Sequence, residues 1–245
     1  MINSKIGLAL FLFLSVAFII YMGDIGFDGI YYYQWITDTF TQIYSSKIEL
    51  IDAFIKTPLV FLHFILAASA IITIISLDLK VLSNYTTPIS QQLYDTIKKA
   101  ENRISQTLYG LYITGIFFVV YGSILSPEYI HNPKVIFKII VVCILTLNGM
   151  LVNQLSKNIR VGMTFASCSF LRSLSMIIVG GISSVSWLWA CFLGIARTWN
   201  FKMPLEILFT LYSLSLVLTI IVVGCIVFYR KYSYIETDRD YTMET

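Results

Sequence analysis

The chain reads as an all-α protein: a polytopic membrane helix bundle with six transmembrane helices and both termini cytoplasmic (N-in/C-in). Three observations predict this. The 245 residues are 57% hydrophobic and only 13% charged, where a soluble domain carries about a quarter charged residues. Six apolar runs approach the roughly 20 residues that cross a bilayer as a helix. Lysine and arginine are distributed unequally between alternate connecting segments, which is the signature of topology.

The spans follow in order. The first is "IGLALFLFLSVAFIIYM", 6–22. Lys5 precedes it as in a signal peptide, but the run exceeds the usual h-region of about 7–15 residues, and "YMGDIGFDG" has no A-x-A cleavage pattern. An uncleaved anchor is expected. The second span covers 59–77, the third 107–125, the fourth 135–155, the fifth 174–195 and the sixth 205–229. Helices are the expected form because lipid cannot satisfy open backbone amides, and no run alternates as barrel strands do.

The segments between them differ in character. Residues 23–58 form a long outer loop. Within it Leu50, Phe54 and isoleucines recur at helical spacing around Glu49, Asp52 and Lys56, as in an interfacial amphipathic helix. Tyr31, Tyr32, Tyr33 and Trp35 suit a headgroup layer. The segment "SNYTTPISQQLYDTIKKAENRISQ" reads as a polar inner loop, and 230–245 as a flexible cytoplasmic tail.

Orientation comes from counting cations. Lys5, Lys80, Lys98, Lys99, Arg103, Lys157, Arg160, Arg172, Arg230, Lys231 and Arg239 fall on one side, eleven in all. Lys47, Lys56, Lys134, Arg197 and Lys202 make five on the other. The richer side is expected to be cytoplasmic.

The net charge of +3 is too small to suggest a nucleic-acid partner. The four cysteines have neither CxxC nor metal-finger spacing and read as small buried hydrophobes. No nucleophile–base or carboxylate pair shares a layer, so intramembrane hydrolysis is not expected. The partner to expect is the lipid bilayer, with a homo-oligomer or a membrane-complex partner left open.

The candidate residues are polar groups inside apolar runs. Lys138 lies about one turn into the fourth span. Its stem can carry the ammonium to the interface, or it can face the bundle interior and bind an anion. His63 lies about four residues into the second span, and His131 just before the fourth; if those helices start near the interface, Lys138 and both histidines share an outer-leaflet layer. His63 can join helices by a hydrogen bond or ligate haem b. Asn148 reads as a partner across a helix interface or part of a polar path, Asp78 as a boundary carboxylate, and Trp187 as part of an aromatic belt with Trp189 and Trp199.

Three stretches carry a resemblance: "LHFILAASAIITIISLDLKVL", the segment from "LYGLYITGIFF" through "HNPKVIFKIIVVCILTLNGMLVN", and "ISSVSWLWACFLG". Together, over about 59–195, the chain resembles bacterial polytopic inner-membrane proteins distantly akin to copper-resistance D-type membrane domains. The chain has "FILAASA" where related families carry a glycine-rich "WxGG". The resemblance implies a bacterial inner-membrane location and points to His63, Asp78, Lys138, Asn148, Gly149 and Trp187. It implies no particular reaction. Three function classes follow: binding or translocation of a small ligand near the outer leaflet, a membrane redox protein with haem on His63, and a structural or assembly partner in a membrane complex.

Overall fold

The computed structural model describes residues 52–243, and every regular element among them is helical. A π-helical turn, Asp52–Lys56, leads into α1, Thr57–Ser83. The helices α2 (Gln91–Leu125), α3 (Pro133–Ser156), α4 (Phe170–Ile195) and α5 (Leu205–Met243) follow. Short 3-10 turns at Pro127–His131 and Arg197–Trp199 precede α3 and α5. Five of these helices are long and apolar enough to cross a membrane: Phe54–Ser83, Gln91–Leu125, Pro133–Ser156, Phe170–Ile195 and Leu205–Glu236. They contain the second to sixth expected spans. The first expected span and the outer segment up to residue 51 lie outside the described residues.

The distribution of polar groups is that of a membrane protein. Ile113 is 71% exposed and Leu214 64%, while Ser173 and Ser186 are fully buried. In water this would be an unstable arrangement, with too much apolar surface exposed. In lipid it is the stable one, because apolar side chains lose nothing by facing acyl chains and the hydroxyls find partners between helices.

The segment expected as a polar inner loop is mostly helix. Only 84–90 is non-helical between α1 and α2. The reason is a short apolar stripe, Leu93, Ile97 and Ala100, recurring at helical spacing and buried. Ser90 accepts a hydrogen bond from the Leu93 amide at 3.2 Å, capping the start. At the other terminus α5 continues to Met243, over residues that read as a tail. No proline follows Pro204 to interrupt it.

The chain divides into two compact units. One comprises, of the described residues, 52–64 and Ile113–His131; the other comprises Ile65–Tyr112 and 132–243. In the smaller unit His63 Nδ1 and Thr114 Oγ1 are hydrogen-bonded at 2.6 Å, and the His63 ring meets Phe118 edge-on. Phe117 stacks on Tyr121, whose face also carries the Lys56 ammonium.

In the larger unit α4 packs against both α3 and α5, and α3 touches α5. A side chain at Gly181 would bring its Cβ to 3.2 Å from Ile220, so the absence of one allows the close approach of α4 and α5. At one end the loops 84–90 and 157–169 are joined by backbone bonds. The Ile89 amide donates to Met163 O at 2.8 Å, and the Gly162 amide donates to Ile89 O at 2.9 Å. Gly162 has φ +88°, which a side chain would strain. Tyr85, Ile89, Leu93, Ile97, Phe165, Ile177 and Val227 fill the space beneath. Basic residues from the richer set gather at this end. Arg230 donates to the carbonyl of Leu82, Lys231 to that of Cys168, and Arg172 to that of Asn158.

Candidate functional site

At the opposite end of the larger unit, Asn132 starts α3. It is 1% exposed, and its Oδ1 accepts from the amides of Lys134 (3.1 Å) and Phe201 (3.3 Å). One side chain thus caps a helix and tethers the segment between α4 and α5. Pro133 at the first helical position has no amide to satisfy, which reinforces the start.

This start directs two lysines at the C-terminal end of α4. Lys134 Nζ donates to Ala196 O and to Asn200 Oδ1, both at 2.8 Å. Ala196 is the C-cap of α4, where unpaired carbonyls concentrate negative charge and attract a cation. Lys138 lies one turn further along α3. Its Nζ lies 3.7 Å from where a Gly194 Cβ would stand, which places the ammonium against the α4 backbone at Gly194. Lys138 and Arg197 are both within electrostatic reach of Lys134. Among the described residues no carboxylate pairs with Lys138, and Lys138 makes no hydrogen bond. The result is a concentration of positive charge able to hold a carboxylate or phosphate group.

The histidines expected in the same layer as Lys138 belong to the smaller unit, and Lys138 to the larger. His131 closes the 3-10 turn and is exposed. His63 has its Nδ1 engaged by Thr114. Among the described residues no group of three His, Cys, Asp or Glu side chains could hold a metal.

The remaining candidates lie along α4. Trp187 is 4% exposed and packs with Ala70, Ile74 and Leu145, so it is interior rather than part of a surface belt. Asp78 lies within α1, which continues to Ser83, and its Oδ2 accepts from Ser184 Oγ at 2.6 Å. Asn148 is 3% exposed and its Nδ2 donates to Val179 O at 2.9 Å. Its Oδ1 is buried and has no donor among the described residues. Further along the seam, Ser186 Oγ and Tyr212 OH are bonded at 2.8 Å, and Trp189 Nε1 donates to Ser215 Oγ at 2.9 Å.

Asn132, Lys134 and Asn200 join the site from the ends of helices, whereas Ser184 belongs to the run of small and polar residues in the fifth span that already marks a packed seam or polar path. An asparagine directly before a proline and an apolar run is a helix-start signal, so Asn132 was within reach. Asn200 has no such local sign. No family model, curated protein or solved structure matches this chain.

Proposed function

We propose that the chain is a six-span protein of the bacterial inner membrane that binds a small anionic ligand, carrying a carboxylate or phosphate group, at its extracytoplasmic end. Lys138 is the binding cation, with Lys134 and Arg197 supplying field. The carrying observation is Lys138 itself: a cation within an apolar span, beside two other cations, with no acidic partner among the described residues. A positive charge in such a place is retained where it has an anion to meet. The orientation is supported by Arg172, Arg230 and Lys231 at the opposite end, where the richer basic set marks the cytoplasm. The resemblance to bacterial membrane proteins akin to copper-resistance D-type domains is consistent with this location.

The hydrogen bond of His63 to Thr114 supports a helix-joining role for His63 over haem ligation. A Soret band in protein purified from haem-replete cells, lost on His63→Ala, would reverse that reading.

The test is thermal unfolding of the detergent-purified full chain with inorganic phosphate, acetate or phosphatidylglycerol. A ligand at one hundred times its Kd stabilises by about 2.7 kcal/mol. The stabilisation should disappear in Lys138→Met, while a chloride control of equal ionic strength has no effect. Stabilisation by phosphatidylglycerol alone identifies a lipid headgroup; stabilisation by the free anions identifies a soluble ligand. If no anion stabilises the protein, or if Lys138→Met responds as the wild type does, the proposal fails.

A further inference from the structure

A second group of polar residues lies deeper in the same unit, between two apolar layers. On one side is the cluster of Ala70, Ile74, Leu145 and Trp187; on the other are Leu77 and Ile177. Between them α4 presents Gly180, Ser183 and Ser184, while α3 presents Asn148 about one turn past Leu145 and α1 presents Asp78 one turn past Ile74 and next to Leu77. Two observations there are independent of each other. Asn148 Oδ1 is a buried acceptor with no donor among the described residues, and a buried acceptor left unsatisfied is destabilising. Its orientation is dictated by Val179 O, which only the amide nitrogen can serve. Asp78 is a carboxylate within a spanning helix that accepts one bond from Ser184 and has no ion pair among the described residues.

The geometry of α4 relates the two. At about 100° per residue, Val179 and Ser184 lie about 140° apart around the helix, and Gly180 falls on the arc between them. A Cβ built on Gly180 would meet nothing within 4 Å. Space therefore lies against the α4 backbone, between the side that receives Asn148 and the side that receives Asp78. Trp187, about two turns along the same face, is buried above it. Asp78 is the exposed member of the group.

We propose that Asp78, Ser184 and Asn148, grouped around Gly180, bind a monovalent metal cation. Every group offered is oxygen: a carboxylate, a hydroxyl and an amide carbonyl, which is the donor set of a hard cation. One carboxylate balances one charge. Divalent sites recruit several carboxylates, and no group of three acidic or imidazole side chains occurs among the described residues. A bound cation would satisfy the orphan Asn148 oxygen and neutralise Asp78 inside the membrane at once. This site does not depend on anion binding by Lys138, and either can fail without the other.

The experiment uses the purified full chain in nanodiscs, with thermal unfolding followed by tryptophan fluorescence. NaCl, KCl and choline chloride are compared at constant ionic strength. A saturable stabilisation by sodium or potassium over choline is expected. Asp78→Asn and Asn148→Leu should each raise the half-saturating concentration roughly tenfold or more. Gly180→Val guards against misfolding as an explanation. Its Cβ meets nothing within 4 Å, so the protein should fold and unfold cooperatively while losing the cation response. Equal behaviour in all three salts overturns the proposal, as does a full response in either Asp78→Asn or Gly180→Val.

Discussion

Replacing Asn132 with alanine isolates the group that positions the cationic end. Two bonds converge on one oxygen, and both are lost. The helix cap to the Lys134 amide contributes about 1 kcal/mol. The bond from the Phe201 amide contributes about 1 kcal/mol more, held to that by the exposure of Phe201. Asn132→Ala should therefore cost about 2 kcal/mol, or about 4–8 °C in the unfolding temperature of a chain this size. Asn132→Asp separates this from a volume effect. It keeps an acceptor oxygen for both amides and places negative charge at a helix N-terminus near Lys134, so its stability should fall within about 0.5 kcal/mol of wild type or exceed it. The assay is equilibrium unfolding in mixed micelles by titration with a denaturing detergent, read by tryptophan fluorescence. If the aspartate variant is as unstable as the alanine variant, or if the alanine variant is as stable as wild type, the bonding scheme at this end is wrong.

Two further perturbations test the packing. Phe137 is fully buried, with its ring centroid 5.0 Å from that of Phe209 and 5.9 Å from those of Trp189 and Tyr212. Unfolding within a micelle still leaves the ring in an apolar medium, so Phe137→Ala should lose mainly the cavity term. For about 100 Å³ at about 24 cal/mol per Å³ this is about 2.4 kcal/mol; a loss above about 4 kcal/mol in the same titration would show that transfer from water contributes. For His63 and Thr114, a double-mutant cycle of His63→Leu and Thr114→Val should give a coupling near 0.6 kcal/mol and below about 1.7 kcal/mol, the range of hydrogen bonds between membrane helices. Zero coupling would remove the helix-joining role.

The membrane character and the positions of the second to sixth spans could be read along the chain, because hydropathy and length are local quantities. A run such as Val135–Leu155 is apolar whatever packs on it. The helix over Gln91–Gln106 was masked by its own polarity. Its buried stripe of Leu93, Ile97 and Ala100 is too short to show as a span, and its meaning depends on Phe165 and Ile177 being there to cover it. Lys138 was identifiable as an anomaly from its neighbours in sequence, yet its placement beside Gly194, near a helix end that Lys134 already caps, joins residues more than fifty positions apart. Asn148 could be suspected of bonding across a seam, but not that its side-chain oxygen would lack a donor among the described residues, nor that Asp78 and Ser184 would meet on the adjoining side of α4. Rotation of a helix about its own axis leaves its hydropathy unchanged. Which polar groups share a layer is therefore decided by the neighbouring helices, and that information is absent from any one stretch of chain.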